Sequence, residues 1–167
     1  MKSAGTDAMA ADERSRRLAQ SEFGHPVVVV AGAGTGKTAL LVARVAAWCV
    51  GPGWKRHFES EADLQGVARR VIERVVAITF TEAAAAEMAR KIGQAFLDLA
   101  AGREPVGWKP GPDVVALDAD DVARRARALS EESHRVQVST NHAFCHRQLA
   151  TYPLEAHLHP RFEVDAD

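Results

Sequence analysis

The chain has 167 residues, 47% of them apolar, enough to bury the core of one domain and too many for an intrinsically disordered protein. Lys and Arg number 21 against 22 Asp and Glu, a net charge of −1 that excludes a globally basic surface, so any nucleic acid has to be met locally. Two cysteines exclude a disulfide framework. With no apolar leader-like stretch in Met1–Gln20 and no run of membrane-spanning length, the expectation is a cytoplasmic protein with reduced thiols and no membrane contact.

In chain order, Met1–Ala11 is small and polar and is expected to be flexible, with a short charged helix over Asp12–Gln20. Residues 1–20 thus read as an arm preceding a domain over 21–167. Val27–Val30 is a continuous β-branched run, the pattern of a strand covered on both faces. A helix is expected over Thr38–Val50, with Leu41, Val45 and Trp48 at helical spacing, stopped by Gly51-Pro52-Gly53. Trp54–Gln65 reads as a loop or insertion, followed by a short helix at Gly66–Glu73. Val75–Thr79 reads as a second buried strand.

Glu82–Ala101 is the most periodic segment, with Ala85, Met88, Ala89, Ile92, Phe96 and Leu99 on one stripe and Thr81 placed to cap it. Gly102–Val115 is rich in Gly and Pro and reads as a loop. A helix from Asp118 to about Ser133 carries Arg124, Arg125 and Arg127 balanced by acidic neighbours, the mark of a solvated face. A third strand, Val136–Ser139, and a helix over Thr140–Thr151 ended by Pro153 complete the pattern. On that last helix His142, Cys145 and His146 share a face, but without a fourth ligand they make no metal site.

The segment Ala31-Gly32-Ala33-Gly34-Thr35-Gly36-Lys37-Thr38 lies between the first strand and the first long helix. Small residues let several backbone N–H groups converge on one concavity, the helix N-terminus favours negative charge, Lys37 adds a cation and Thr38 a hydroxyl able to ligate Mg²⁺. Strand, loop, Lys-Thr and helix in that order make a P-loop, with Ala31 where the commoner form has glycine. Strands alternating with helices imply a parallel α/β sheet with its ligand at the carboxyl ends of the strands. That arrangement would bring the P-loop, Thr79-Phe80-Thr81 and Thr140-Asn141-His142 to one sheet edge.

Three blocks, "VVVVAGAGTGKTALLVARV", "VVAITFTEAAAAEMARKI" and "VQVSTNHAFCHRQLATYPLEAHLHPRFEV", resemble in order the Walker A motif and the next two DNA-facing blocks of UvrD/Rep-type superfamily 1 DNA helicases. The last is most similar to the AddA/RecB-like helicase-nuclease branch. The resemblance implies a RecA-like P-loop NTPase fold, incomplete as a motor domain, and an ATP-driven motor that walks on single-stranded DNA and unwinds duplex junctions in recombination or repair. It implies ATP and Mg²⁺ at Ala31, Gly32, Ala33, Gly34, Thr35, Gly36, Lys37 and Thr38, with Lys37 and Thr38 catalytic. It further implies DNA contacts at Thr79, Phe80, Thr81, Thr140, His142 and Phe144, and a partner in the form of a second helicase-nuclease subunit.

The blocks also depart from the family's pattern. Asn141 and Ala143 stand where an apolar residue and a serine are usual, and the place of the family's adenine-reading glutamine falls near Arg16, with Gln20 too close to the loop. No strand ending in Asp-Glu follows the third block, so the chain is expected to be the N-terminal part of a larger helicase and to be inactive by itself. The competing reading is a P-loop protein of another class, a kinase or a non-hydrolysing binding module.

Overall fold

The computed structural model describes residues 3–32, 34–58, 63–159 and 162. Helix α1 runs Ser3–Ser21, α2 Lys37–Val50, α3 Pro52–His57 and α4 Leu64–Ile72; strand β1 is Val76–Thr79. Then come α5 Glu82–Ala100, α6 Pro112–Val115, α7 Ala119–Glu131, a 3-10 turn at Ser133–Arg135, β2 Gln137–Thr140 and α8 Asn141–Thr151.

The core is a helical layer. α2 contributes Ala43, Ala46, Ala47 and Val50, α4 contributes Val67, Val71 and Ile72, α5 contributes Ile92 and Phe96, and α7 contributes Leu129, all with no solvent exposure. The alanines of α2 let α5 and its neighbours approach closely, and the stripe read in α5 is the face that is buried. Side-chain caps start three of these helices: Asp63 accepts from the Gly66 N–H, Thr81 from Ala84 and Asp118 from Asp121.

Arg125 leaves the solvated side of α7 to donate to the Val50 carbonyl at 2.8 Å, with its guanidinium 5.8 Å from the Trp54 ring. Burial lowers its pKa, while Asp121 works in the opposite direction. Of the arginine run expected to be solvated, Arg125 is therefore a packing residue.

β1 and β2 form a parallel pair with Val76 opposite Gln137, Ala77 opposite Val138, Ile78 opposite Ser139 and Thr79 opposite Thr140. A parallel pair needs a crossover, and α5 to α7 supply it. Ala77 and Val138 pack on the helical core, whereas Val76 and Ile78 are nearly half exposed on the other face.

Several expectations are corrected. Val27–Val30 is not a strand: no described residue pairs with it, and Val28 and Val30 are 87% and 95% exposed. An apolar run settles as a buried strand only with ladder partners and cover, and the described residues offer it neither. β1 is likewise covered on one face only. The polar run from Trp54 does not open as a loop, because Pro52 starts a short helix that inserts Trp54 into the core at 1% exposure. The N-terminal stretch expected to be flexible up to Ala11 belongs, from Ser3, to the same helix as Asp12–Gln20. α6 is a turn of helix within the segment read as a Gly/Pro loop. No described helix is long and apolar enough to cross a membrane.

Candidate nucleotide and nucleic-acid site

The glycine-rich loop bends because its glycines take left-handed backbone: φ is 74° at Gly34 and 84° at Gly36, values that strain a residue bearing a Cβ. Gly36 is also the N-cap of α2, and no side chain caps that helix. The first intrahelical bond runs from the Leu40 N–H to the Gly36 carbonyl at 3.0 Å, which leaves the N–H groups of Lys37, Thr38 and Ala39 without an intrahelical acceptor. An uncapped helix start beside two left-handed glycines is an arrangement suited to an anion.

Side chains tie the loop together. The Thr35 hydroxyl donates to the Gly32 carbonyl at 2.8 Å, and the Lys37 ammonium folds back to the carbonyls of Ala31 and Gly32 at 2.9 and 2.8 Å. Those neutral acceptors are ones that an incoming phosphate would replace with a stronger, charge-assisted partner. Ala33 lies outside the described residues.

The loop opens on a cavity of about 780 Å³, bounded on one side by Val27–Gly32 and on the other by Asp12, Ser15 and Arg16 of α1. Arg16 Nη2 donates to the Thr35 carbonyl at 3.1 Å, and its Nε donates to Asp12 at 2.7 Å. Sequence reasoning placed Arg16 near an adenine reader and did not see this contact. The signal available was the Asp12–Arg16 spacing, an i,i+4 pair on one helix face.

Gln20 plays a different part. It has no solvent exposure, and its amide is spent on backbone: Nε2 donates to the Gly107 carbonyl and Oε1 accepts from the Lys109 N–H, both at 2.8 Å. With Lys109 and Glu13 paired at 3.2 Å, α1 is fastened to the 107–109 turn.

The second and third blocks meet at the carboxyl ends of the paired strands. Phe80 is 97% exposed, an aromatic face with no packing duty. Thr79 donates to the Thr81 carbonyl at 3.1 Å, and Thr81 caps α5. Thr140 is buried, with its hydroxyl accepting from the Ala143 N–H at 3.2 Å as the cap of α8. His142 is exposed and Phe144 half-buried on the first turn of α8. These turns are neighbours through strand pairing; the glycine-rich loop is not joined to them by a strand. Among the described residues no group of His, Cys, Asp or Glu could hold a metal ion on its own. Mg²⁺ at this loop would thus depend on the Thr38 hydroxyl together with the oxygens of a bound phosphate.

A protein-family description, the UvrD/REP helicase N-terminal domain, matches residues 12–167. Among curated proteins, the chain is 35% identical over 138 residues to an ATP-dependent helicase/nuclease subunit of Moorella thermoacetica, covering 83% of this chain and 8% of that protein. A Listeria monocytogenes protein of the same description is 31% identical over 141 residues, 84% of this chain and 9% of its own length. One from Latilactobacillus sakei is 29% identical over 154 residues, 92% of this chain and 14% of its own length. The chain therefore spans a small fraction of the relatives it matches. No solved structure matches it.

Proposed function

The chain belongs to the UvrD/REP helicase N-terminal domain family, and on that premise we propose that it is the ATP-binding portion of a DNA helicase with a RecA-like first motor domain. Ala31–Thr38 would hold the nucleotide phosphates. The amides at the start of α2 and the Lys37 ammonium would supply donors, and the Thr38 hydroxyl would help hold a Mg²⁺ that neutralises phosphate charge. Hydrolysis of the terminal phosphate would supply the free energy for movement along a single strand and for unwinding at duplex junctions in recombination or repair.

DNA would lie across the carboxyl ends of β1 and β2. Phe80 offers a ring for base stacking, His142 and Thr79 offer hydrogen bonds to phosphate, and Thr81, Thr140 and Phe144 shape the face from the two helix starts. A partner chain is proposed because the relatives are described as one subunit of a helicase/nuclease, and a cytoplasmic setting is proposed with it.

The observation that carries this reading is the uncapped N-terminus of α2 next to Gly34 and Gly36 in left-handed backbone, with Lys37 bonded only to replaceable carbonyls. The test is DNA-stimulated ATP hydrolysis by the full-length protein that carries this chain. Hydrolysis that rises with a single-stranded oligonucleotide and is lost in Lys37→Ala supports the proposal. Hydrolysis unchanged in Lys37→Ala refutes it.

A further inference from the structure

We infer that Arg16 is a positioning residue for the phosphate loop, locking the orientation of the peptide between Thr35 and Gly36 and with it the direction of the Gly36 N–H; the inference rests on the nucleotide-binding reading above. Asp12 holds the Arg16 guanidinium through Nε at 2.7 Å, and the other end of the fork reaches the Thr35 carbonyl at 3.1 Å. The side chain is 32% exposed against 63% for Asp12, so the fork lies against the loop while its anchor faces solvent. A Cβ built on Gly36 would stand 3.8 Å from Nη1, which places the guanidinium directly beside this peptide.

A trans peptide points its C=O and its N–H in opposite directions, and the described chain has no cis bond. By holding the Thr35 carbonyl toward α1, Arg16 therefore sends the Gly36 N–H the other way. No described residue accepts a hydrogen bond from that N–H, so it is available to a ligand.

The lock is needed because of the glycine. Reversing this peptide would carry Gly36 from φ 84° to a negative φ, and glycine populates both regions at little cost. The reversed peptide would put a carbonyl oxygen where the Gly36 N–H now stands and withdraw a donor from the loop. A charged donor on the Thr35 carbonyl biases the choice, and a hydrogen bond to an ionised group is strong enough to do so. Arg suits the task better than Lys, because one fork can serve Asp12 and the loop at the same time.

The experiment is an ADP and GDP titration of wild type, Arg16→Ala, Arg16→Lys and Lys37→Ala, with thermal melting and the ¹⁵N–¹H signal of Gly36 followed in each. Arg16→Ala is expected to weaken ADP and GDP alike by about tenfold, the worth of one charge-assisted bond, at an unchanged melting temperature. The Gly36 amide signal, displaced by ADP in wild type, should no longer move, and Arg16→Lys should recover part of both effects. Unchanged affinity in folded Arg16→Ala overturns the inference. So does a loss confined to one base, which would make Arg16 a base reader, or a loss accompanied by lowered melting with Gly36 still responding, which would make it merely structural. Failure of the nucleotide-binding reading is distinguishable: wild type would then bind neither nucleotide, or would bind both equally well in Lys37→Ala.

Discussion

Thr79 and Thr140 stand opposite each other at the carboxyl ends of the parallel pair β1 and β2, and each is followed closely by the start of a helix. This register sets Phe80 and His142 in corresponding turns after the two strands. It is the structural basis for the proposed DNA face, since it brings the exposed Phe80 ring next to the turn that carries His142.

Phe80→Ala should weaken binding of a poly-dT oligonucleotide by about 1–3 kcal/mol, the range for one stacked base. Because the ring is 97% exposed, the melting temperature should not fall. A fluorescence anisotropy titration checks the first expectation and a thermal melt the second. Equal DNA affinity in the variant would remove Phe80 from the face.

The caps of α5 and α8 make a separate prediction about stability. Replacing Thr81 or Thr140 by Ala removes the acceptor for the Ala84 or Ala143 N–H and should cost about 1 kcal/mol each in urea denaturation. Thr140 is the buried member of the pair, so its substitution is expected to cost the more of the two. A variant as stable as wild type would mean that the helix start finds another acceptor.

Gln20→Leu keeps the side chain's approximate size but strands the Gly107 carbonyl and the Lys109 N–H, each of which loses its partner. The expected cost is about 1–3 kcal/mol per stranded group, lower if water reaches the turn. Nucleotide affinity and the ratio of ATP to GTP binding should stay as in wild type. A changed ratio would return Gln20 to the nucleotide.

The two thiols should differ sharply in reactivity. Cys49 is fully buried in the core, and burial pushes its pKa up, away from the reactive thiolate; Cys145 is exposed on α8. A disulfide reagent at neutral pH should titrate one thiol in the native protein and the second only on unfolding. Two fast thiols would show that the α2 core opens readily.

Helix stripes and caps are legible in the sequence because they depend on spacing within one element. The stripe of α5 and the capping role of Thr81 need no knowledge of neighbours. Strand burial is not legible in the same way: Val27–Val30 and Val76–Thr79 have the apolar character of covered strands, yet cover is a property of what packs beside them. Trp54 escapes a reading by composition because a polar run hides a single aromatic anchor behind Pro52. At the site, the loop glycines and Lys37 can be named from their order, whereas the contact of Arg16 with Thr35 spans 19 residues and arises from how α1 lies along the loop. A short charged helix in an arm does not announce such a contact, and only its docking shows that Arg16 is turned to the loop.

Nucleotide binding at Ala31–Thr38 is the central claim, and calorimetric titration of the purified chain with Mg-ADP tests it most directly. One site per chain is expected, with binding abolished in Lys37→Ala and the melting temperature of that variant unchanged, because the Lys37 side chain is exposed and bonds only to its own loop. Heat of binding identical in wild type and Lys37→Ala, or no binding by folded wild type, would contradict it.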